Sequence, residues 1–137
     1  MFNTVKKEPA EYAVEDQAKR DEVVRVARLK GFTVVEGDDY NLLLDIDSPA
    51  LSASFWEILT MMLDRFPGDY EKWNSKSGNW HFRVMLDSPL PLIERIALQA
   101  MCGSDPRKEI MSLCSAKIGV INPVLLFKPP QKRLPFK

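Results

Sequence analysis

The sequence has few of the residues that build most metal and redox sites. Its 137 residues include one histidine, His81, and two cysteines, Cys102 and Cys114. Neither cysteine has a CxxC neighbour or a nearby histidine, so the spacing gives no indication of zinc. Both lie in stretches that are typical of helices. We expect them to be small core residues of a cytosolic protein, in preference to a disulfide.

The sequence also lacks a net charge, because 19 lysines and arginines balance 19 aspartates and glutamates. Global electrostatics therefore do not indicate a polyanionic partner, and any nucleic-acid contact has to be local. No apolar run approaches the roughly 20 residues of a membrane span. The N-terminus MFNTVKKEPAEY lacks the apolar core of a signal peptide. These absences predict a soluble cytoplasmic protein without a membrane partner.

The chain has the length of one domain with a proper core. We expect residues 1–13, which are polar, to form a flexible N-terminal segment. Residues 14–128 are expected to form a single α+β domain. Residues 129–137 are basic and rich in proline, which is typical of a flexible tail.

Apolar spacing predicts helices over residues 14–30, 51–66, 91–101 and 105–116, and strands over residues 32–35, 40–47, 70–75, 79–86 and 124–127. The first two strands are expected to pair as a hairpin. The tripeptide KSG at residues 76–78 is expected to form the tip of a second hairpin. The order β-α-β-β-α-β, in a mainly antiparallel sheet covered by helices on one side, predicts a ferredoxin-like or RNA-recognition-motif-like fold.

Residues 42–47 read LLLDID, so an apolar strand ends in two carboxylates, Asp45 and Asp47. Side chains alternate along a strand, so both aspartates project from the same face, where like charges repel unless a cation, donors or water lie beside them. One interpretation is that Ser48 caps the next helix and that Asp47 lies near its positive end, a device repeated at Asp87. That interpretation leaves Asp45 unexplained, whereas a same-face Asp-x-Asp can bind a hard divalent cation.

The single histidine follows the second hairpin tip, in the segment SKSGNWH at residues 75–81. Hydroxyl, ammonium and backbone donors are dense around it, and phosphate groups require such donors next to a glycine. In the predicted fold the strands 42–47 and 79–86 are neighbours. Carboxylates that bind a metal and donors that bind a phosphate would then share one sheet face.

These two segments resemble motifs of the archaeo-eukaryotic primase superfamily. Residues 42–47 match its motif I, an apolar strand that ends in Asp-x-Asp, and SGNWH at residues 77–81 matches its motif II. The resemblance covers about residues 40 to 127, and only the two motifs are specific. It implies that Asp45 and Asp47 bind Mg²⁺ or Mn²⁺ and that His81 contacts the phosphates of a nucleoside triphosphate. It also implies a phosphate site lined by Ser77, Gly78 and Asn79.

The family has a third aspartate on a later strand. Here the alternatives are Asp87, at the end of a strand, and Asp105, which is also a predicted helix cap. The metal set that the resemblance implies is Asp45, Asp47 and Asp105, with Asp87 left open as the alternative third member. The same residues together with His81 are the catalytic residues that it implies.

Three hypotheses about function follow. The first is a primase-like domain that binds a nucleoside triphosphate and a divalent metal and transfers nucleotides to a 3′-hydroxyl, with single-stranded or primed nucleic acid as its partner. The second is a non-catalytic module on the same fold, such as a mobile element or virus could carry, that holds a nucleotide, a nucleic acid or a protein partner. The third is structural: Asp47 and Asp87 lie at helix caps, and His81 is a hydrogen-bonded core residue.

Overall fold

The structure, a computed structural model, describes residues 9–120 and 123–130. These residues form four helices and five strands in an α+β fold. In chain order the elements are α1 (Pro9–Leu29), β1 (Thr33–Glu36), β2 (Asn41–Ile46), α2 (Ala53–Arg65), β3 (Gly68–Asn74), β4 (Trp80–Leu86), α3 (Leu92–Met101), α4 (Pro106–Lys117) and β5 (Leu125–Lys128).

The strands form two antiparallel sheets. A three-stranded sheet has the order β2-β4-β3, and β1 pairs with β5 in a separate two-stranded ribbon. The expected hairpin of the first two strands is therefore wrong, whereas the hairpin of β3 and β4 is confirmed. Because β5 pairs with β1 and does not join β2, a four-stranded ferredoxin-like sheet is not confirmed.

The outer edge of β2 is covered by side chains and backbone from the α3–α4 segment. The backbone groups of Leu43 and Asp45 on this edge bond to four partners: the Gln99 side chain, the Lys108 ammonium, the Ser104 hydroxyl and the Asp105 N–H. An edge strand normally offers these groups to another strand. Their occupation explains why neither β1 nor β5 pairs with β2.

The two faces of the three-stranded sheet differ in chemistry. One face packs on α2 through an apolar cluster made of Leu42, Leu44, Ile46, Phe55, Leu59, Met62, Phe82, Val84, Leu86 and Cys102. On the other face, Leu43 packs with residues of the β1–β5 ribbon and with Ile96 of α3. Because α2 packs on one face while α3 contacts both clusters, through Leu98 and Ile96, the helices are not confined to one side as expected.

The N-terminal helix begins at Pro9, within the segment that was expected to be flexible. Residues 1–8 and 131–137 lie outside the described residues, and the expectations for them remain predictions. No helix in the described part of the chain is both long and apolar enough to cross a membrane.

The helix cap predicted at Ser48 is wrong. Ser52 is the N-cap of α2, and its hydroxyl accepts a hydrogen bond from the Phe55 N–H at 3.1 Å. The Ser48 hydroxyl instead donates to the carbonyl of Ala50, in a turn that precedes the helix. The N-cap position of α3 is Pro91, so the same device fails at Asp87. A helix terminus therefore does not explain Asp47 or Asp87.

The two cysteines have different surroundings, and both thiols are free. Cys102 is buried in the cluster under α2, as expected, and burial raises the pKa of its thiol to about 11. Cys114 is exposed, so the core position expected for it is wrong. The buried side of α4 consists of Glu109 and Ser112, which turns Cys114 outward.

Candidate functional site

Asp45 of β2 and His81 of β4 are direct cross-strand partners. Oδ1 of Asp45 lies 3.3 Å from Nε2 of His81, and His81 is only 8% exposed. The imidazole, as a hydrogen-bond donor, holds the pKa of the Asp45 carboxyl below its ordinary value and outweighs partial burial, which raises it. The nearby charge of Lys108 acts in the same direction as the imidazole. The two segments that resemble primase motifs thus meet at this pair.

Asp47 follows β2 and also pairs with the second motif. The Asn79 side-chain amide donates to Oδ1 of Asp47 at 3.0 Å. Oδ2 of Asp47 lies 3.9 Å from the guanidinium of Arg107, a residue of α4 whose side chain is 86% exposed. Asp45 and Asp47, from the first segment, therefore each contact a polar side chain of the second segment, His81 and Asn79 respectively.

Asp105 lies beside Asp45 in the structure, although the two are far apart in the sequence. Its backbone N–H donates to the carbonyl of Asp45 at 2.7 Å. Its side chain caps α4 by accepting from the Arg107 N–H at 3.0 Å, which confirms the predicted cap. The Arg107 side chain also lies 3.8 Å from the Asp105 carboxylate. One guanidinium is thus shared between the carboxylates of Asp47 and Asp105.

Asp87, the alternative third carboxylate, lies at the other end of the sheet. It follows the last residue of β4, whereas His81 is near the first, so about 20 Å of strand separates them. Its backbone N–H donates to the carbonyl of Pro67. Asp105, and not Asp87, is therefore the third aspartate that the fold brings to the pair of Asp45 and His81.

The oxygen donors of Asp45 and Asp47 are of the kind that Mg²⁺ and Mn²⁺ prefer. In residues 9–120 and 123–130, no three histidine, cysteine, aspartate or glutamate side chains are placed to hold a metal together. Enzymes commonly bind Mg²⁺ through one or two carboxylates and let substrate phosphates and water complete the coordination. Asp45 and Asp47 have the carboxylate oxygens that such a cation would need, and a phosphate ligand and water would have to complete its coordination.

The hairpin tip offers fewer phosphate donors than the sequence suggests. Gly78 has the positive φ of +93° that a tight turn requires. Its N–H donates to the carbonyl of Ser75, and the N–H of Asn79 donates to the Ser75 hydroxyl. These backbone donors are used within the turn. The hydroxyls of Ser75 and Ser77, which are 3.0 Å apart, and the Lys76 ammonium are the groups that suit a phosphate.

Trp73 completes a row across the three strands, because it pairs with His81 on the side away from Asp45. The two rings meet edge to face, with 5.7 Å between their centroids. The Trp73 indole N–H donates to the Phe127 carbonyl, and the Lys128 ammonium lies over its ring. Trp80 has the opposite orientation, since neighbouring residues of a strand point to opposite faces. Its ring packs on the side of α2.

A buried polar network behind Asp45 was not predicted from the sequence. The Glu109 carboxylate accepts hydrogen bonds from the Gln99 amide at 2.8 Å and the Ser104 hydroxyl at 3.1 Å. The Ser104 hydroxyl in turn accepts from the Asp45 N–H at 2.9 Å. The network fixes the strand that carries Asp45. The available signal was the polar Gln99 within the apolar stripe of its helix, since a polar residue there needs a partner.

No protein-family model matches this chain, and neither the curated proteins nor the solved structures include one with significant similarity to it. Function is therefore inferred from the residues themselves. The features that bear on function are the contacts of Asp45 with His81 and of Asp47 with Asn79.

Proposed function

We propose that this domain binds a nucleoside triphosphate together with Mg²⁺ or Mn²⁺ on the sheet face that carries Asp45, Asp47 and His81. The observation that carries the proposal is the direct pairing of Asp45 with His81 across two strands. The predicted fold makes the two motif segments neighbouring strands, so that carboxylates and phosphate donors would share one sheet face.

The residues of the proposed site have different roles, which follow from their chemistry. Asp45 and Asp47 would hold the metal, whose charge offsets that of the phosphates. The hydroxyls of Ser75 and Ser77 and the ammonium of Lys76 would bind phosphate oxygens. The His81 ring keeps its orientation through the contact with Asp45.

Strand order gives the proposal a second support. In the split β-α-β-β-α-β unit, the first strand lies next to the third, and the third next to the second. The sheet order β2-β4-β3 agrees with this arrangement. We therefore propose that residues 41–128 are a variant of the ferredoxin-like core in which the α3–α4 segment covers the edge that the fourth strand would occupy.

Binding is better supported than nucleotidyl transfer. Asp105, the third carboxylate, already caps α4, and Arg107 lies against both Asp105 and Asp47. A non-catalytic module that holds a nucleotide is the second candidate, and the cap role of Asp105 favours it. Single-stranded nucleic acid is less well supported as its ligand, because the N–H and one face of Trp73 are already engaged.

The test is a calorimetric titration of the purified domain with ATP in the presence and absence of Mn²⁺. We expect saturable binding that requires the metal in the wild type and is lost in Asp45→Asn. Asp64→Asn removes the same charge from an exposed position on α2 and is expected to bind like the wild type. Circular dichroism verifies that each variant is folded.

Equal binding by folded Asp45→Asn, or no metal-dependent binding by the wild type, would contradict the proposal. A primer-extension assay with a labelled primer then separates the two candidates. Product that depends on Asp45 and Asp105 supports transfer, whereas binding without product supports the non-catalytic module.

A further inference from the structure

A cavity of about 660 Å³ lies between α1 and the hairpin of β3 and β4. Its apolar lining comes from three segments: Val23, Val26 and Ala27 of α1, Phe32 before β1, and Phe127 of β5. This volume is in the range of small-molecule sites, which are typically apolar clefts with a few polar groups. The cavity is large enough for the base and sugar of a nucleotide.

The cavity and the proposed phosphate site share His81. Its ring lines the cavity, while its Nε2 atom faces Asp45. Its other nitrogen, Nδ1, is buried and has no hydrogen-bond partner among the described residues. A buried polar atom of this kind is unfavourable unless a ligand or water satisfies it.

The charges of the lining favour an anionic ligand. Lys30 and Lys76 both contribute to the lining, as do the hydroxyl-bearing residues Ser75 and Ser77 of the hairpin. Glu22 also belongs to the lining, but its carboxylate forms two hydrogen bonds, at 2.6 and 2.9 Å, with the guanidinium of Arg25. Apolar walls next to hydroxyl and ammonium groups match a molecule with an aromatic body and a phosphate end.

We propose that this cavity holds the nucleobase and sugar of the nucleotide whose phosphates bind at the hairpin and the aspartates. The inference rests on the proposed function and adds the place of the base. The side chains of Phe32 and Phe127 provide apolar surface for a planar ring. The position of His81 then explains how one ligand reaches both regions.

The test compares ATP with inorganic tripolyphosphate, which has the phosphates without the base and sugar. In calorimetric titrations with Mn²⁺, we expect the wild type to bind ATP roughly tenfold more tightly than tripolyphosphate, the order expected for one base against an apolar wall. Ala27→Trp places a large ring in the cavity and is expected to remove this difference while leaving tripolyphosphate binding unchanged. Ala18→Trp, at an exposed position of the same helix, is the matched control and is expected to preserve the difference in affinity between ATP and tripolyphosphate.

The outcomes separate the two proposals. Equal affinities of the wild type for ATP and tripolyphosphate overturn the base cavity but leave the phosphate site intact. ATP binding that is lost in Ala27→Trp but needs neither Mn²⁺ nor Asp45 supports the cavity and overturns the metal site. Binding of neither ligand overturns both. Should Ala27→Trp fail to fold, the wild-type comparison decides alone, with competition by adenosine as its check.

Discussion

Asp45 and His81 face each other across β2 and β4, with 3.3 Å between Oδ1 and Nε2. Trp73 extends the row on the far side of His81, and Ser104 holds the backbone of Asp45 from the other edge. The pair is thus fixed from both directions. The geometry of the pair depends on both the sheet and the α3–α4 segment. A substitution that disturbs either one should therefore alter the contact between Asp45 and His81.

The first prediction concerns acid sensitivity. The pKa of Asp45 is lowered in the folded protein, so its ionised form stabilises the fold above about pH 4, the pKa expected in the unfolded chain. This contribution is lost as the pH falls through the lower folded value. We expect Asp45→Asn to reduce the free energy of unfolding by about 1–3 kcal/mol at pH 7 and by less at pH 3. Urea unfolding of both proteins at pH 7 and pH 3 measures this reduction. An equal reduction at the two pH values would contradict the stabilising role of ionised Asp45.

The second prediction concerns Arg107, whose guanidinium lies between the carboxylates of Asp47 and Asp105. Under the proposed function it would compete with the divalent cation for the Asp47 carboxylate. Arg107→Gln should therefore raise the affinity for Mn²⁺ measured without nucleotide, by roughly two- to fivefold, since exposed ion pairs are weak. Arg28→Gln, at an exposed position of α1, is the charge-matched control and should have no effect. Unchanged or weaker Mn²⁺ binding by Arg107→Gln would refute the competition.

The third prediction concerns the covered edge of β2. The Gln99 side chain accepts from the Leu43 N–H at 2.9 Å and donates to Glu109 at 2.8 Å. Gln99→Leu leaves both partners buried without that bond, so we expect a loss of about 2–4 kcal/mol in the free energy of unfolding. Gln17→Leu removes an exposed hydrogen bond to Asp21 and should change it by less than about 0.5 kcal/mol. Similar losses in the two variants would show that the edge is not closed in this way.

The fourth prediction concerns the two thiols. Burial raises the pKa of Cys102 to about 11, so at pH 8 its reactive thiolate is scarce, whereas Cys114 is exposed. Iodoacetamide should label the native protein at Cys114 only, and both cysteines after unfolding in urea. Peptide mass spectrometry identifies the labelled residue. Labelling of Cys102 at a comparable rate in the native protein would contradict its place in the core.

Much of the fold could be predicted because its signals are local. Apolar spacing located every described element to within a few residues, except at the start of α1, and Gly78 marked the hairpin tip. The pairing of β1 with β5 could not be predicted, since it depends on packing between distant residues such as Val35 and Leu126. The cap of α2 was misplaced because Ser48 and Ser52 carry the same local signal.

Part of the candidate site could be proposed from the sequence for the same reason. Asp45, Asp47 and His81 stand out in the sequence, because a buried strand seldom ends in two like charges. The partners Gln99, Ser104 and Glu109 acquire their role only when the α3–α4 segment lies against β2. In the sequence they appear only as polar residues at buried positions, and the sequence alone does not identify their hydrogen-bond partners.

The most direct test of the central claim uses the fact that His81 is the only histidine of the chain. In a tag-free protein its imidazole protons give the only histidine signals in a proton NMR spectrum. We predict that substoichiometric Mn²⁺ added with ATP broadens these signals strongly, because the paramagnetic ion binds next to His81, and that Mg²⁺ with ATP leaves them sharp. Histidine signals that stay sharp with Mn²⁺ and ATP would contradict a nucleotide and metal site at Asp45, Asp47 and His81.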